Sequence, residues 1–466
     1  MLTYNLVDGE QEFLYVYLYK CIRDDIIAGK IKSGEKLPSK RNFAKNLGVS
    51  VITVENSYEQ LMAEGYIYSV PKRGFYVCEL KDTGVQPRRI SGQGISLERE
   101  VSSYIADFSS NQTDAAVFPF SVWTKTIREI MNENQQQLMV NPPCGGIMEL
   151  RVRIALYLKE FRGMQVNPEQ IFIGAGTEYL YSLIIQLLGE RIKYGVENPG
   201  YPKIAQIYSR MRVPYEYVEM DAQGIMPGTL EEKGIDVIHI SPSHHFPTGI
   251  VMPIARRYEL LSWAAGKPDR YIIEDDYDSE LRFAGRPIST LYSIDGSDKT
   301  IYMNTFAKTL CSTVRISYMV LPQILMERFY KSLAFYSCTV SNFEQYTLAR
   351  FMENGSFEKH MNRLRNYYQK KRNRILQVFK DRLRNERITI IESDTGAHFL
   401  MDIHTDKTED WIVKEAMKRG IKMAPLSQYY FGKVPWCAKR FVMNYSSISM
   451  DKIEEVAGLL SEIIEI

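Results

Sequence analysis

Residues 271–280, YIIEDDYDSE, and 301–320, IYMNTFAKTLCSTVRISYMV, decide how this chain folds. The run Tyr271 to Ile273 is apolar and β-prone, and it delivers acids at its C-terminal end, the edge at which open α/β sheets bind ligands. Asp275 and Tyr277 are two residues apart, so in an extended chain they point the same way. Lys308 follows the strand-like run Ile301 to Met303 in a polar loop, and Arg315 opens another apolar run. Further strand-like runs, IFIGAG at 171–176 and VIHISP at 237–242, alternate with the longer amphipathic stretches TEYLYSLIIQLLGE and RRYELLSWAA. That alternation predicts a large α/β domain over residues 107–466.

Upstream the pattern changes. Residues 13 to about 28 place Leu14, Tyr17, Leu18, Cys21, Ile22 and Ile26 at helical spacing, with Gly29 as a stop. A second helix is predicted over Ser39 to Leu47, bounded by Pro38 and Gly48. Ser50 offers an N-cap for a third helix to about Glu64, with Val51, Val54, Tyr58 and Leu61 facing inward. The segment YIYSVPKRGFYV then reads as a hairpin. Three helices and a hairpin within residues 1–80 make a winged helix-turn-helix. Residues 81–106, rich in Gly, Ser and charge, read as a linker.

Composition narrows the function classes. The 466 residues are 45% hydrophobic and 24% charged with a net charge of +2, which excludes a mainly disordered chain and a chain-wide basic field. Six scattered cysteines form no CxxC pair, so the expectation is a reducing cytoplasm without a disulfide framework. No secretory leader and no membrane span are expected. The six histidines form no HExxH or similar metal motif and are expected mostly in packing or exposed loops. The acidic run at 274–280 lacks the glycine and spacing of an EF-hand loop, so no metal is expected.

Two clusters carry chemistry. Between Lys30 and Lys45 six basic residues face one acid, Glu35, a local cluster of the kind phosphate binding needs. Ser39, Lys40 and Arg41 suit a DNA backbone phosphate, and Ser50 and Thr53 could reach base edges in a major groove. Lys72 and Arg73, beside Gly74, could enter the adjacent minor groove. A solvated charged surface is the plain alternative. In the large domain a carboxylate (Asp275), a phenol (Tyr277), a lysine (Lys308) and an arginine (Arg315) are the groups that pyridoxal 5'-phosphate requires. The glycine turn GAGTEYL, opening a helix, could complete a phosphate cup.

The run GEKLPSKRNFAKNLGVSVITVENSYEQLMAEGYIYSVPKRGFYV resembles the winged-helix domain of the GntR family of bacterial regulators. Members often carry an Arg just after the Ser or Thr that opens the recognition helix, where this chain has Val51. Residues 107–466 resemble fold-type I aminotransferases through ENPGYPKI, SPSHHFPTGIVMP, IIEDDYDSE and NTFAKTL, and the whole chain resembles the MocR/GabR subfamily. That resemblance implies Lys308 as the lysine that holds the cofactor aldehyde, Asp275 as the pyridinium partner and Tyr277 as the O3' partner. It places Tyr201 over the ring and Gly176, Thr177, Thr305 and Arg315 around the phosphate. Lys203 and Arg440 are the candidates for a ligand carboxylate. Phe246 stands where aminotransferases usually have Asn, and Val442 where they have the substrate arginine. The function implied is a DNA-binding transcriptional regulator that binds a double-stranded operator. Its aminotransferase-like domain would sense an amino acid, an amine or the cofactor itself, in a head-to-tail homodimer with the DNA modules swapped. A working aminotransferase is the alternative.

Overall fold

In the computed structural model the described residues are Tyr4, 13–80, 104–110, 112–283, 285, 288–383, 386–391, 395–432, 434 and 439–465. They divide into two compact units, 1–100 and 101–466.

The first unit contains α1 (Leu14–Ile27), α2 (Lys40–Leu47) and α3 (Val51–Ala63), then the antiparallel pair β1 (Ile67–Val70) and β2 (Gly74–Val77). Ser39 and Ser50 cap α2 and α3 by accepting from Asn42 N at 3.3 Å and Thr53 N at 3.0 Å, contacts worth about 1 kcal/mol each. Gly48 ends α2 at φ 68, the left-handed conformation that lets the chain turn sharply into α3. Leu18, Ile22, Phe43, Val54, Tyr58 and Leu61 form a common core. One inward prediction fails, Val51 being 42% exposed, and Leu14, at the helical spacing of the packed face of α1, is 44% exposed; each sits in the first turn of its helix, at the margin of that face. Tyr19 is buried instead, donating its hydroxyl to Glu64.

The second unit begins with β3 (Ala106–Asp107), α4 (Phe120–Glu133), α5 (Gln135–Leu138) and α6 (Met148–Arg162). Next come β4 (Ile171–Ala175), α7 (Thr177–Leu188), β5 (Tyr194–Asn198), α8 (Pro202–Arg210), β6 (Tyr215–Asp221), β7 (Gly224–Ile225), α9 (Pro227–Glu232) and β8 (Val237–Ile240). The chain continues with α10 (Ile254–Ala265), β9 (Tyr271–Asp275), α11 (Leu291–Ile294), β10 (Thr300–Thr305), β11 (Ile316–Val320), α12 (Gln323–Ser332), α13 (Asn342–Glu353) and α14 (Ser356–Arg382). It closes with β12 (Ile388–Ile391), β13 (His398–Ile403), α15 (Glu409–Lys418), β14 (Ile421–Lys422), β15 (Ala424–Pro425), β16 (Lys439–Asn444) and α16 (Ile453–Glu465).

Strands β4-β11-β10-β9-β8-β5-β6-β7 form one mixed sheet, parallel from β10 through β6. Side chains alternate between its faces. On β9, Tyr271 and Ile273 join the core built with α7, α8 and α12, while Ile272 joins the core built with α9 and α10. Burial on both faces explains why these strands read as continuous apolar runs. A smaller antiparallel sheet, β12-β13-β16-β15, follows.

The predicted linker, 81–106, lies outside the described residues up to 103. Its last residues are not linker: Ile105 N donates to Gly420 O at 2.8 Å and Ala106 pairs with Ile421 across β3 and β14. Among the described residues no helix is long and apolar enough to cross a membrane.

Candidate functional site

The parallel strands end at one edge, and the predicted residues gather there. Asp275 closes β9; its Oδ2 accepts from Tyr181 at 2.6 Å, while the buried Oδ1 has no hydrogen-bond partner among the described residues. Two residues on, Tyr277 is held by a contact that the sequence did not reveal. His244 Nδ1 donates to Asp278 Oδ2 at 2.7 Å and lies 3.3 Å from the Tyr277 oxygen.

Lys308 follows β10 in a tight turn and lines a narrow cleft with Phe246, Tyr277, Asp278, His398 and Asn444. Burial pushes its amine down to about 8, with the Asp278 charge working in the opposite direction. A buried lysine so shifted carries a usable fraction of free amine near neutral pH. The Phe246 ring meets Tyr201, Tyr429 and His398 edge-on at 5.9, 5.2 and 5.4 Å. Beyond it lies a second cleft of about 200 Å³, lined by Glu197, Tyr201, Tyr217, His239, Tyr429 and Phe431.

Gly176 and Thr177 form the start of α7, where backbone N–H groups point outward. Glycine suits position 176 because its φ is 94, a conformation that L side chains rarely adopt, and the absent Cβ leaves room for the flexible end of Arg315. Arg315 reaches this spot from the adjoining end of β11 and pairs with Glu178 Oε2 at 2.7 Å. Lys203 pairs with the other oxygen of Glu178. The Thr305 hydroxyl is engaged with Ser317 at 2.8 Å and accepts from Ala307 N.

Lys203 and Arg440, the candidates for a ligand carboxylate, are both engaged within the chain. Lys203 is tied to Glu178, and Arg440 on β16 faces Asp402 on β13 in a two-pronged pair at 2.6 and 2.8 Å. Neither lines the cleft around Lys308. The histidines are mostly packed, as expected, and four of them, His239, His244, His245 and His398, are buried close to this edge. Burial and the neighbouring His244 charge push His245 down to about 3, so it is neutral. No metal-holding group of acids, histidines and cysteines occurs among the described residues.

In the first unit, Arg41, Lys45, Lys72 and Arg73 are exposed. Lys72 sits at the hairpin tip with φ 63, and Gly74 with φ 113 lets the returning strand pass Lys36. Lys40 is paired with Glu55 of α3 at 2.6 Å. The Ser50 and Thr53 hydroxyls, expected at base edges, bond to each other at 2.8 Å, and Ser50 also caps α3.

Comparison with known proteins agrees with this arrangement. Residues 14–77 match the gntR family of bacterial regulatory proteins and residues 104–460 match aminotransferase class I and II. This chain belongs to the MocR/GabR subfamily of GntR-type regulators. The HTH-type transcriptional regulator YdeL of Bacillus subtilis is 36% identical, with 95% of each chain covered. The probable rhizopine catabolism regulatory protein MocR of Rhizobium meliloti is 29% identical over 94% of this chain and 91% of its own. Among solved structures, the kynurenine aminotransferase of Pyrococcus horikoshii superposes with a TM-score of 0.67 at 24% identity, covering 78% of this chain and 92% of its own. This subfamily member is a DNA-binding transcriptional regulator with an aminotransferase-like domain.

Proposed function

We propose that the large unit binds pyridoxal 5'-phosphate at Lys308 and that an amine or amino acid entering there alters the protein's hold on its operator. The observation that carries this reading is the pairing of two unusual groups at one sheet edge: a buried lysine with its pKa lowered to about 8, and a buried Asp275 oxygen without a partner. The residues fit the cofactor. The unpartnered Asp275 oxygen suits a pyridinium N–H, and the close approach of Arg315 to Gly176 leaves backbone amides and a guanidinium for a phosphate. When bound, the cofactor supplies an aldehyde that captures primary amines and a ring that withdraws electrons.

In this reading Lys308 holds the aldehyde, Asp275 keeps a proton on the pyridine nitrogen, and Tyr277, steadied by His244 and Asp278, donates to the ring oxygen. Tyr201 covers the ring, and Gly176, Thr177, Thr305 and Arg315 take the phosphate. Arg41, Lys72, Arg73 and the N-termini of α2 and α3 take the DNA. A ligand acts on DNA affinity only through its preference for one of two states.

We also place the protein in the cytoplasm as a head-to-tail, domain-swapped homodimer. Support comes from the described cysteines, which are all free, and from apolar side chains left exposed on neighbouring helices. Phe120, Met139, Val140, Met148 and Phe343 of α4, the α5 end, α6 and α13 are at least 39% exposed, an arrangement suited to a second copy.

Borohydride reduction of the cofactor-loaded protein followed by peptide mapping tests the cofactor site, and labelling anywhere but Lys308 rejects it. A panel of amines and amino acids, scored both by absorbance and by operator affinity, tests the sensing. Sustained keto-acid release with unchanged DNA affinity establishes the aminotransferase alternative. Mixed-label crosslinks confined to one chain reject the swap.

A further inference from the structure

The leading turn of α3 presents hydrocarbon to solvent in a unit that also exposes a cluster of basic side chains. Val51 is 42% and Ile52 66% exposed, whereas the packing of this helix is carried by Val54, Tyr58 and Leu61, all fully buried. Ile52, Asn56 and Glu59 recur at helical spacing on one outward face, with Val51 and Glu55 beside it. The polar groups nearby are engaged: Glu55 with Lys40 at 2.6 Å, and the Ser50 and Thr53 hydroxyls with each other. Elsewhere in the first unit Lys36, Arg41, Lys45, Lys72 and Arg73 are exposed, and Lys40 of α2 reaches Glu55 of α3, so cations are available for the phosphates of a bound duplex.

What such a face can read follows from the chemistry of base edges. Thymine shows a methyl group in the major groove, adenine offers the donor and acceptor that an asparagine amide matches, and guanine calls for Arg or Lys. No residue from 50 to 53 is basic. We propose that α3 reads A·T base pairs, with Val51 and Ile52 packed on thymine methyl groups and Asn56 on an adenine edge. Scattered exposed hydrocarbons are ordinary on protein surfaces; two adjacent β-branched side chains on the leading turn of the helix that would read DNA are placed where water is expelled on binding. The inference rests on DNA binding by the first unit and is independent of the cofactor.

The test uses the full chain and a random-sequence duplex pool. Enriched duplexes are resynthesised with deoxyuridine in place of each thymine in turn, which keeps base pairing and removes one methyl. The expected result is thymine in every enriched half-site, with about fourfold weaker binding on deoxyuridine substitution at one or two positions, the ratio equivalent to ~0.8 kcal/mol for one buried methyl-sized group. Ile52→Ala should weaken binding to the thymine duplex and become indifferent to deoxyuridine at one of those positions, with an unchanged salt dependence. Val51→Ala should do the same at a neighbouring position. Both side chains lie outside the core, so folding is preserved and circular dichroism can verify it. Enrichment of G·C half-sites overturns the inference alone, as does an Ile52→Ala chain that still responds fully to every deoxyuridine. A chain that enriches no sequence overturns DNA binding itself, and the inference with it.

Discussion

Glu178 is the residue whose perturbation bears hardest on the proposed cofactor site. Its carboxylate accepts from Arg315 at 2.7 Å and from Lys203, so it stands among the groups that a phosphate would meet at the start of α7. Burial works to raise its pKa, but the hydrogen bonds from Lys203 and Arg315 hold it at about 2, and it is charged throughout the physiological range. An arriving phosphate must displace that charge or lie beside it. Two unit charges about 4 Å apart repel by about 1 kcal/mol in bulk water and about 4 kcal/mol at the effective dielectric of a protein surface. The Arg315 side chain is 50% exposed, which favours the lower end. Glu178→Gln keeps the shape and removes the charge, so affinity of the cofactor-free protein for pyridoxal 5'-phosphate should rise about tenfold, with the gain shrinking as salt is added. Absorbance titrations at two ionic strengths measure it, with unphosphorylated pyridoxal as the control. Unchanged or weaker affinity, or an equal gain for pyridoxal, refutes the placement of the phosphate beside Glu178.

Three further outcomes are expected. Asp278 works to raise the Lys308 pKa, so Asp278→Asn should move the midpoint of cofactor capture, followed by borohydride trapping across a pH series, downward by about one unit; an upward move contradicts the assignment. Burial and the Asp276 charge raise Glu280 from 4.5 to about 7, so the folded chain keeps a proton that the unfolded chain releases, and the associated stability is present below 4.5 and lost as pH rises through about 7. The melting temperature of Glu280→Gln should therefore gain on the parent between about pH 5 and pH 8, and a difference that narrows with pH would be inconsistent with a raised pKa. Arg41→Ala should weaken operator binding across sequences and reduce the salt slope by about one, and an unchanged slope removes Arg41 from the interface.

The parts of this architecture that the sequence disclosed are those written in local patterns. Tyr271 to Asp275 is an uninterrupted apolar run with an acidic end because both faces of β9 are covered, and Ser39, Gly48 and Ser50 punctuate α2 and α3 through their own backbone needs. What stayed hidden depends on distant register. The pairing of Ala106 with Ile421 involves two residues on each side, too few to leave a period. The Arg440 and Asp402 side chains meet only because β13 and β16 align residues 38 apart. His244 and His398, with ring centroids 4.8 Å apart, are separated by more than 150 positions and carry no spacing signal. Val51 lies outside the core, against the expectation, because helical period says which residues share a face but not where the core beneath that face stops.

The same long-range pairings bear on which ligand the site favours. The two side chains named as candidates for a ligand carboxylate, Lys203 and Arg440, are each ion-paired within the chain, Lys203 with a Glu178 that it shares with Arg315 and Arg440 with Asp402. An amino acid seeking either must break an existing ion pair, and the Asp402 carboxylate meets the guanidinium with both oxygens, the geometry hardest to replace. An amine without a carboxylate meets no such competition and needs only the lysine-held aldehyde. On the proposed reading, simple amines should therefore change the absorbance of the loaded protein at lower concentration than amino acids of the same carbon skeleton. If amino acids win in the parent chain, the carboxylate is recognised by groups other than Lys203 and Arg440, and the ion pairs of those two side chains do not set the preference.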